Sequence, residues 1–182
     1  MRAFISIDIS EEIKKEIIKI QEKLPEFLGK KTEPENLHLT LKFLGEIEEK
    51  KIEEIKNRLS EIKFSSFEAS INSIGFFDRG SEKYAQQIII WLHMTNCEKL
   101  QKLIDEKLRG IFDPEKRFMS HLTIARVKSV KDKKKFIKGV EDIEIPNLDF
   151  IVKKFSLKKS NLTSKGPVYE DIGSFNLIRE KI

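Results

Sequence analysis

The chain has 182 residues, 39% hydrophobic and 36% charged, with 35 Lys and Arg against 30 Asp and Glu and a formal net charge of +5. That length builds one ordinary domain or two small lobes on a shared core, and 13 Phe beside runs of Ile and Leu exclude a disordered chain. No run approaches the roughly 18 apolar residues of a membrane span, the start MRAFISIDIS lacks the pattern of a secretory leader, and a lone Cys97 excludes a disulfide framework or a cysteine metal cluster. A cytoplasmic protein is expected, one whose mixed charges permit an anionic partner without requiring it.

Ala3, Ile5, Ile7 and Ile9 alternate and predict a strand. Ser10 is placed to cap a helix carrying Ile13, Ile17, Ile20 and Leu24 at helical spacing, closed by Pro25. Leu37, Leu39, Leu41 and Phe43 alternate with His38, Thr40 and Lys42, a strand with one apolar and one polar face that ends at Gly45. A helix with Ile52, Ile55, Leu59 and Ile62 follows, then a β-rich stretch over 67–77 and a turn at Asp78-Arg79-Gly80-Ser81. The order then repeats. A strand over Gln87–Leu92 precedes a helix capped by Asn96 and carrying Leu100, Ile104, Leu108 and Ile111. A strand over Phe118–Val127 precedes a helix with Phe136, Ile137 and Val140, for which Ser129 and Asp132 have capping-box spacing. Residues 148–158 and 167–177 predict two closing strands.

The repeat has a register. His38-Leu39-Thr40 and His121-Leu122-Thr123 stand 83 residues apart, and the same shift sets Ile5 on Ile88, Ile7 on Ile90 and Phe67 on Phe150. The expected fold is α+β: two pseudo-symmetric βαβαβ-type lobes whose antiparallel-rich sheets form a central V-shaped groove. Residues 1–182 are read as a single bilobal domain, the first lobe about 1–80 and the second about 81–182, with exchange of the terminal strands between lobes left open.

On a strand, side chains two apart share a face roughly 6–7 Å apart, so each His-x-Thr sets an imidazole beside a hydroxyl. One such pair is weak, because His and Thr both occur in strands for structural reasons. Two pairs facing each other supply two proton-transfer groups and two donors around one centre, which suits in-line attack at a phosphodiester phosphorus: one histidine takes the proton of the attacking oxygen, the other protonates the leaving oxygen, and the threonines hold the non-bridging oxygens. No metal and no cofactor are expected. His93, at a strand end, is read as structural or exposed; Trp91 and the phenylalanines as core; and Cys97, at a helix start, as non-catalytic. The lysines at 131, 133, 134 and 135 are read as a solvated face.

MRAFISIDI, NLHLTLKFLG, SHLTIARV and FSLKKSNLTSKGPVY together resemble the two-histidine phosphoesterase superfamily over essentially the whole chain, and within it the RNA 2′,3′-cyclic phosphodiesterases, also called LigT-like proteins or 2′-5′ RNA ligases. The resemblance implies that His38 is the proton donor to the leaving group, that His121 accepts a proton from water, and that Thr40 and Thr123 grip the phosphate. Arg126 matches the family's arginine five positions after the second histidine and would bind phosphate or ribose. In a regular strand Arg126 would share the face of Leu122 and Ile124, so a strand end or a kink is required to bring it to the groove, where Phe43 holds the equivalent place in the first copy. Lys42 shares the polar face of His38 and Thr40 and is a candidate substrate contact, with a solvated lysine at the rim as the competing reading. The implied reaction opens RNA 2′,3′-cyclic phosphate ends, tRNA fragments among them, to 2′-phosphates, with reverse 2′-5′ ligation at the same site of a monomer. The alternatives are another cyclic phosphate substrate (a cyclic nucleotide or an ADP-ribose cyclic phosphate) and a non-catalytic RNA-end binding module.

Overall fold

A computed structural model describes residues 1–79, 88–164 and 166–179. The strands are β1 (Arg2–Asp8), β2 (Leu28–Lys31), β3 (His38–Glu46), β4 (Phe67–Asp78), β5 (Ile88–Met94), β6 (His121–Ser129), β7 (Leu148–Val152), β8 (Lys154–Thr163) and β9 (Gly166–Asn176). The helices are α1 (Glu11–Glu22), α2 (Ile52–Ser60), α3 (Glu98–Lys107) and α4 (Lys133–Glu141). Two antiparallel sheets form, in the orders β3-β1-β8-β9 and β2-β6-β5-β4-β7. This is the α+β architecture, with a β-α-β-α-β order in each half and a short additional strand, β2, in the first. The sheets do not follow the two halves of the chain: β4 joins the sheet of the second half, while β8 and β9 complete that of the first.

Each helix buries its apolar stripe against a sheet. Ile13, Ile17 and Ile20 of α1 and Leu100 and Ile104 of α3 are buried with the apolar faces of the strands in one cluster. The Ser10 hydroxyl accepts from the Ile13 amide and caps α1. The two sheets meet where β3, an edge strand of the first, approaches β6 of the second.

Several local expectations change. Asn96 does not cap α3; it takes the left-handed conformation that asparagine tolerates, φ +65°, and its side-chain amide donates to the Glu68 carbonyl at 2.9 Å. The Ser129–Asp132 capping box does not form, because Ser129 is the last residue of β6; Asp132 alone caps α4, accepting from the Lys135 amide at 3.0 Å. The stretch 148–158 holds two strands parted at Lys153. β2 lies in a segment, LGKK, with no alternation to reveal it. Gly29 lets that edge strand lie close on β6, since a Cβ there would stand 2.2 Å from the Arg126 carbonyl. Gly80 and Ser81 of the expected turn, and Gln87 of the expected strand, lie outside the described residues.

The repeat itself is sharper than a single shift. β3 and β6 match at 83 residues and carry the same burial pattern position by position. In their partners, Ser6 faces Thr40 and Trp91 faces Thr123, so β1 matches β5 at 85 residues rather than 83. The parity is kept, and the same faces remain in and out.

At the matching place, each of β3 and β6 contains an extra residue against β1 and β5; β3 has a second irregularity nearer its end, where Leu44 is skipped. Ile5 faces Lys42 but Ser6 faces Thr40, skipping Leu41; Ile90 faces Ala125 but Trp91 faces Thr123, skipping Ile124. A β-bulge of this kind shifts every later side chain to the opposite face. It corrects the expectation for Lys42. The side chain turns away from His38 and Thr40 into the interior, where it is 3% exposed. Its ammonium lies 2.6 Å from the Asp105 carboxylate of α3 and 2.7 Å from the Asp113 carbonyl. Burial works against the Asp105 charge, but hydrogen bonds from Lys42, the Glu115 amide and Gln101 outweigh it and hold the carboxyl below its ordinary value. Removing one member of a buried pair strands the other's charge. Lys42→Met is therefore expected to destabilise the fold by about 3–5 kcal/mol in urea unfolding, and adding Asp105→Asn is expected to recover part of that loss.

Candidate active site

The bulges decide what faces the space between the sheets. His38, Thr40 and Phe43 of β3 and His121, Thr123 and Arg126 of β6 line one groove of about 510 Å³. Arg126 reaches it because the extra residue at Ile124 moves it off the face of Leu122; this is the kink that a regular strand lacks. Phe43, its counterpart, stands 62% exposed at the groove.

The two histidines are held in the same way. The His38 Nδ1 lies 2.7 Å from the Asn36 carbonyl and the His121 Nδ1 lies 2.7 Å from the Met119 carbonyl, in each case the carbonyl two residues back. A carbonyl only accepts, so Nδ1 carries the hydrogen and Nε2 is the nitrogen left for chemistry. At His38 the Nε2 lies 3.0 Å from the Thr40 hydroxyl, which donates to it while the ring is neutral.

Their surroundings differ. His38 lies against Phe4 and edge-on to Tyr169, with ring centroids 4.9 and 5.2 Å away. Burial lowers its pKa to about 4, with the charges of Lys158 and His121 acting in the same direction and the Asn36 carbonyl and Asp8 opposing them. His121 packs edge-on to Phe77 at 5.2 Å and lies 6.5 Å from Trp91. Trp91, expected in the core, is instead half-buried, its indole lying over Gly75, where a Cβ would come within 2.4 Å of the ring.

The sequence did not single out Tyr169 of β9. It lines the groove between the two lobes' motifs, and burial pushes its phenol above the ordinary value while Arg126 and Arg2 pull it down. The only sequence signal for it is its place at the end of the resembling segment FSLKKSNLTSKGPVY. Arg2, Lys30, Lys31 and Arg79 also line the groove, with Glu33, so its charged lining is mainly cationic. Two other candidates fall outside it. His93 stands beside His121 in the sheet with its Nδ1 3.0 Å from the Ser120 carbonyl. Cys97 is buried, which pushes its thiol up to about 12, the reverse of an activated thiolate. Of the lysine cluster, Lys133 is paired with Asp78 and Lys131 lies 4.0 Å from Glu26.

Fold and groove together define a phosphoesterase built on paired His-x-Thr strands. A family model described as LigT like Phosphoesterase matches residues 7–84 and 94–169, and the chain belongs to that family. It is 39% identical over 178 residues to the RNA 2′,3′-cyclic phosphodiesterase of Thermotoga maritima, covering 93% of this chain and 92% of that one. To the RNA 2′,3′-cyclic phosphodiesterase of Methanocaldococcus jannaschii it is 40% identical over 176 residues, covering 94% and 98%. Among solved structures, a Thermus thermophilus protein matches with a TM-score of 0.78 and 26% identity over the whole of both chains. Escherichia coli LigT, determined in complex with 3′-AMP, shares the fold at a TM-score of 0.75 and 24% identity over 97% and 98% of the two chains.

The depressed pKa of His38 has a definite sign in stability. Its folded value of about 4 lies below the ordinary 6.5, so between these values the unfolded chain binds the proton and the folded chain does not. This contribution is neutral above pH 6.5 and destabilises the fold progressively as pH falls toward 4. NMR titration of the ligand-free protein is expected to show the His38 ring still neutral at pH 5.5. A midpoint near 6.5 would refute its burial in the neutral form.

Proposed function

We propose that the protein hydrolyses RNA 2′,3′-cyclic phosphodiester ends to 2′-phosphomonoesters by general acid and base catalysis from its two motif histidines. The observation that carries this reading is the matched pair of imidazoles. Both have Nδ1 tied to a backbone carbonyl and line one groove, each with a threonine hydroxyl two residues on. A binding module needs hydroxyls and cations but not two oriented proton-transfer groups, so the arrangement favours turnover over mere capture of an RNA end.

In this mechanism the cyclic phosphate sits between the two motifs, its non-bridging oxygens on the hydroxyls of Thr40 and Thr123 and on the guanidinium of Arg126, whose planar fork suits them. Water attacks phosphorus and its proton passes to the His121 Nε2. The bond from phosphorus to the 3′ oxygen breaks, and that oxygen takes a proton from the His38 Nε2. His38 is neutral in the empty groove at neutral pH. Its proton is acquired with the substrate, because the phosphate charge brought against Nε2 favours the imidazolium that burial alone disfavours. Thr40 supports both states, donating to neutral Nε2 and accepting from the protonated ring. With an RNA 5′-hydroxyl attacking phosphorus in place of water, the same steps in the same direction join a 2′,3′-cyclic end in a 2′-5′ linkage, the 3′ oxygen again leaving with the His38 proton. The reading is of a cytoplasmic monomer acting on RNA ends, with tRNA fragments as one source.

The test is incubation with a short RNA ending in a 2′,3′-cyclic phosphate, in EDTA, with the product isomers resolved. The expected product is the 2′-phosphate, and His38→Ala and His121→Ala are each expected to lower kcat/KM by roughly 10²–10⁴-fold while leaving the fold intact. A 3′-phosphate product, an EDTA-sensitive rate, or retained turnover in either variant would overturn the reading.

A further inference from the structure

The bulge that delivers Arg126 to the groove is not held by its own lobe. Ile124, the extra residue, presents its carbonyl to two donors: the Thr32 amide at 2.8 Å and the Gln21 side-chain nitrogen at 2.8 Å. The same Gln21 nitrogen donates to the Thr32 carbonyl at 2.9 Å. One amide group thus uses both of its hydrogens to clamp the bulge to the chain running beside it. Gln21 lies in the last turn of α1, in the first half of the sequence, and is 4% exposed among apolar side chains.

The arrangement is reciprocal. α3, from the second half, sets Asp105 against Lys42, the residue just past the bulge of β3. Gln21 and Asp105 each occupy a buried site in the final turns of the first helix of their half. Each half therefore braces the motif strand of the other, and each brace is a polar group buried where an apolar residue would be the ordinary choice.

We infer that Gln21 is a positioning residue for Arg126. Without its two hydrogen bonds the Ile124 carbonyl keeps only the Thr32 amide, and the register that turns Arg126 from the apolar face to the groove loses its support from α1. Resting on the proposed function, this makes Gln21 a determinant of phosphate binding that never touches the phosphate. Proton transfer is not affected, because the histidines are oriented by Asn36 and Met119 instead.

The test is a double-mutant cycle between Gln21 and Arg126, read on Gln21→Met, which keeps the shape without the donors, and on Gln21→Asn, which keeps donors too short to reach. The readouts are KM and kcat for a 2′,3′-cyclic substrate and the Kd for adenosine 2′-monophosphate. With Arg126 present, both variants are expected to raise KM and Kd roughly five- to tenfold with kcat and its pH profile unchanged; in the Arg126→Ala background the same changes should have an effect under about twofold. Equal losses in the two backgrounds, or a loss confined to kcat, would overturn the inference. An inactive wild type would instead count against the proposed reaction, and the coupling would still be read from the nucleotide Kd.

Discussion

A β-bulge at the matching place in β3 and β6 organises this molecule. A strand with strict two-residue alternation that put His121 and Thr123 in the groove would bury Arg126, and one that put His38 and Thr40 there would add Lys42 and bury Phe43. The bulges at Leu41 and Ile124 break that parity. Lys42 and Ala125 turn inward, Phe43 and Arg126 turn outward, and the groove receives three side chains from each strand. The buried polar groups of Lys42, Asp105 and Gln21 follow from the same event, since a bulge interrupts the ladder and its carbonyls and neighbouring side chains must find partners elsewhere.

On this symmetric backbone the two halves are chemically unequal. Beside Thr40 the neighbouring strand carries Ser6, beside Thr123 it carries Trp91, and where His38 faces Asp8, His121 faces His93. Both rings have aromatic neighbours, Phe4 and Tyr169 at His38 and Phe77 and Trp91 at His121, but on the His38 side Lys158 ties Asp8 to Asp171. Phe43 offers an exposed ring where Arg126 offers a guanidinium. The repeated scaffold therefore presents two matched imidazoles whose neighbours differ, an inequality that suits the acid and base roles proposed for them.

Much of this is legible in the residues. The paired His-x-Thr triplets are visible because strand periodicity alone sets a histidine beside a threonine, and because the elements around them repeat in the same order. The strand pairing that exchanges β4 and β8 between sheets leaves no local mark, since it depends on which edge each strand finds. The bulges are also silent: Leu41-Lys42 and Ile124-Ala125 read as ordinary alternation, which puts Lys42 on the wrong face and brings Arg126 to the right one only through the family likeness. QIIIWL reads as uniformly buried, yet Ile89 lines the groove and Trp91 is only half-buried, because the first sheet faces that side of β5 across a gap. Tyr169 becomes part of the site only when the β8–β9 hairpin joins the first sheet.

The central claim is that two histidines divide the proton transfers at one phosphorus. The most direct measurement is the pH dependence of kcat/KM for a 2′,3′-cyclic substrate in the wild type and in His38→Gln and His121→Gln. The account predicts a bell-shaped profile in EDTA, with the acidic limb lost in His121→Gln, where the base is gone, and the basic limb lost in His38→Gln, where the acid is gone. Both limbs persisting in either variant would contradict it.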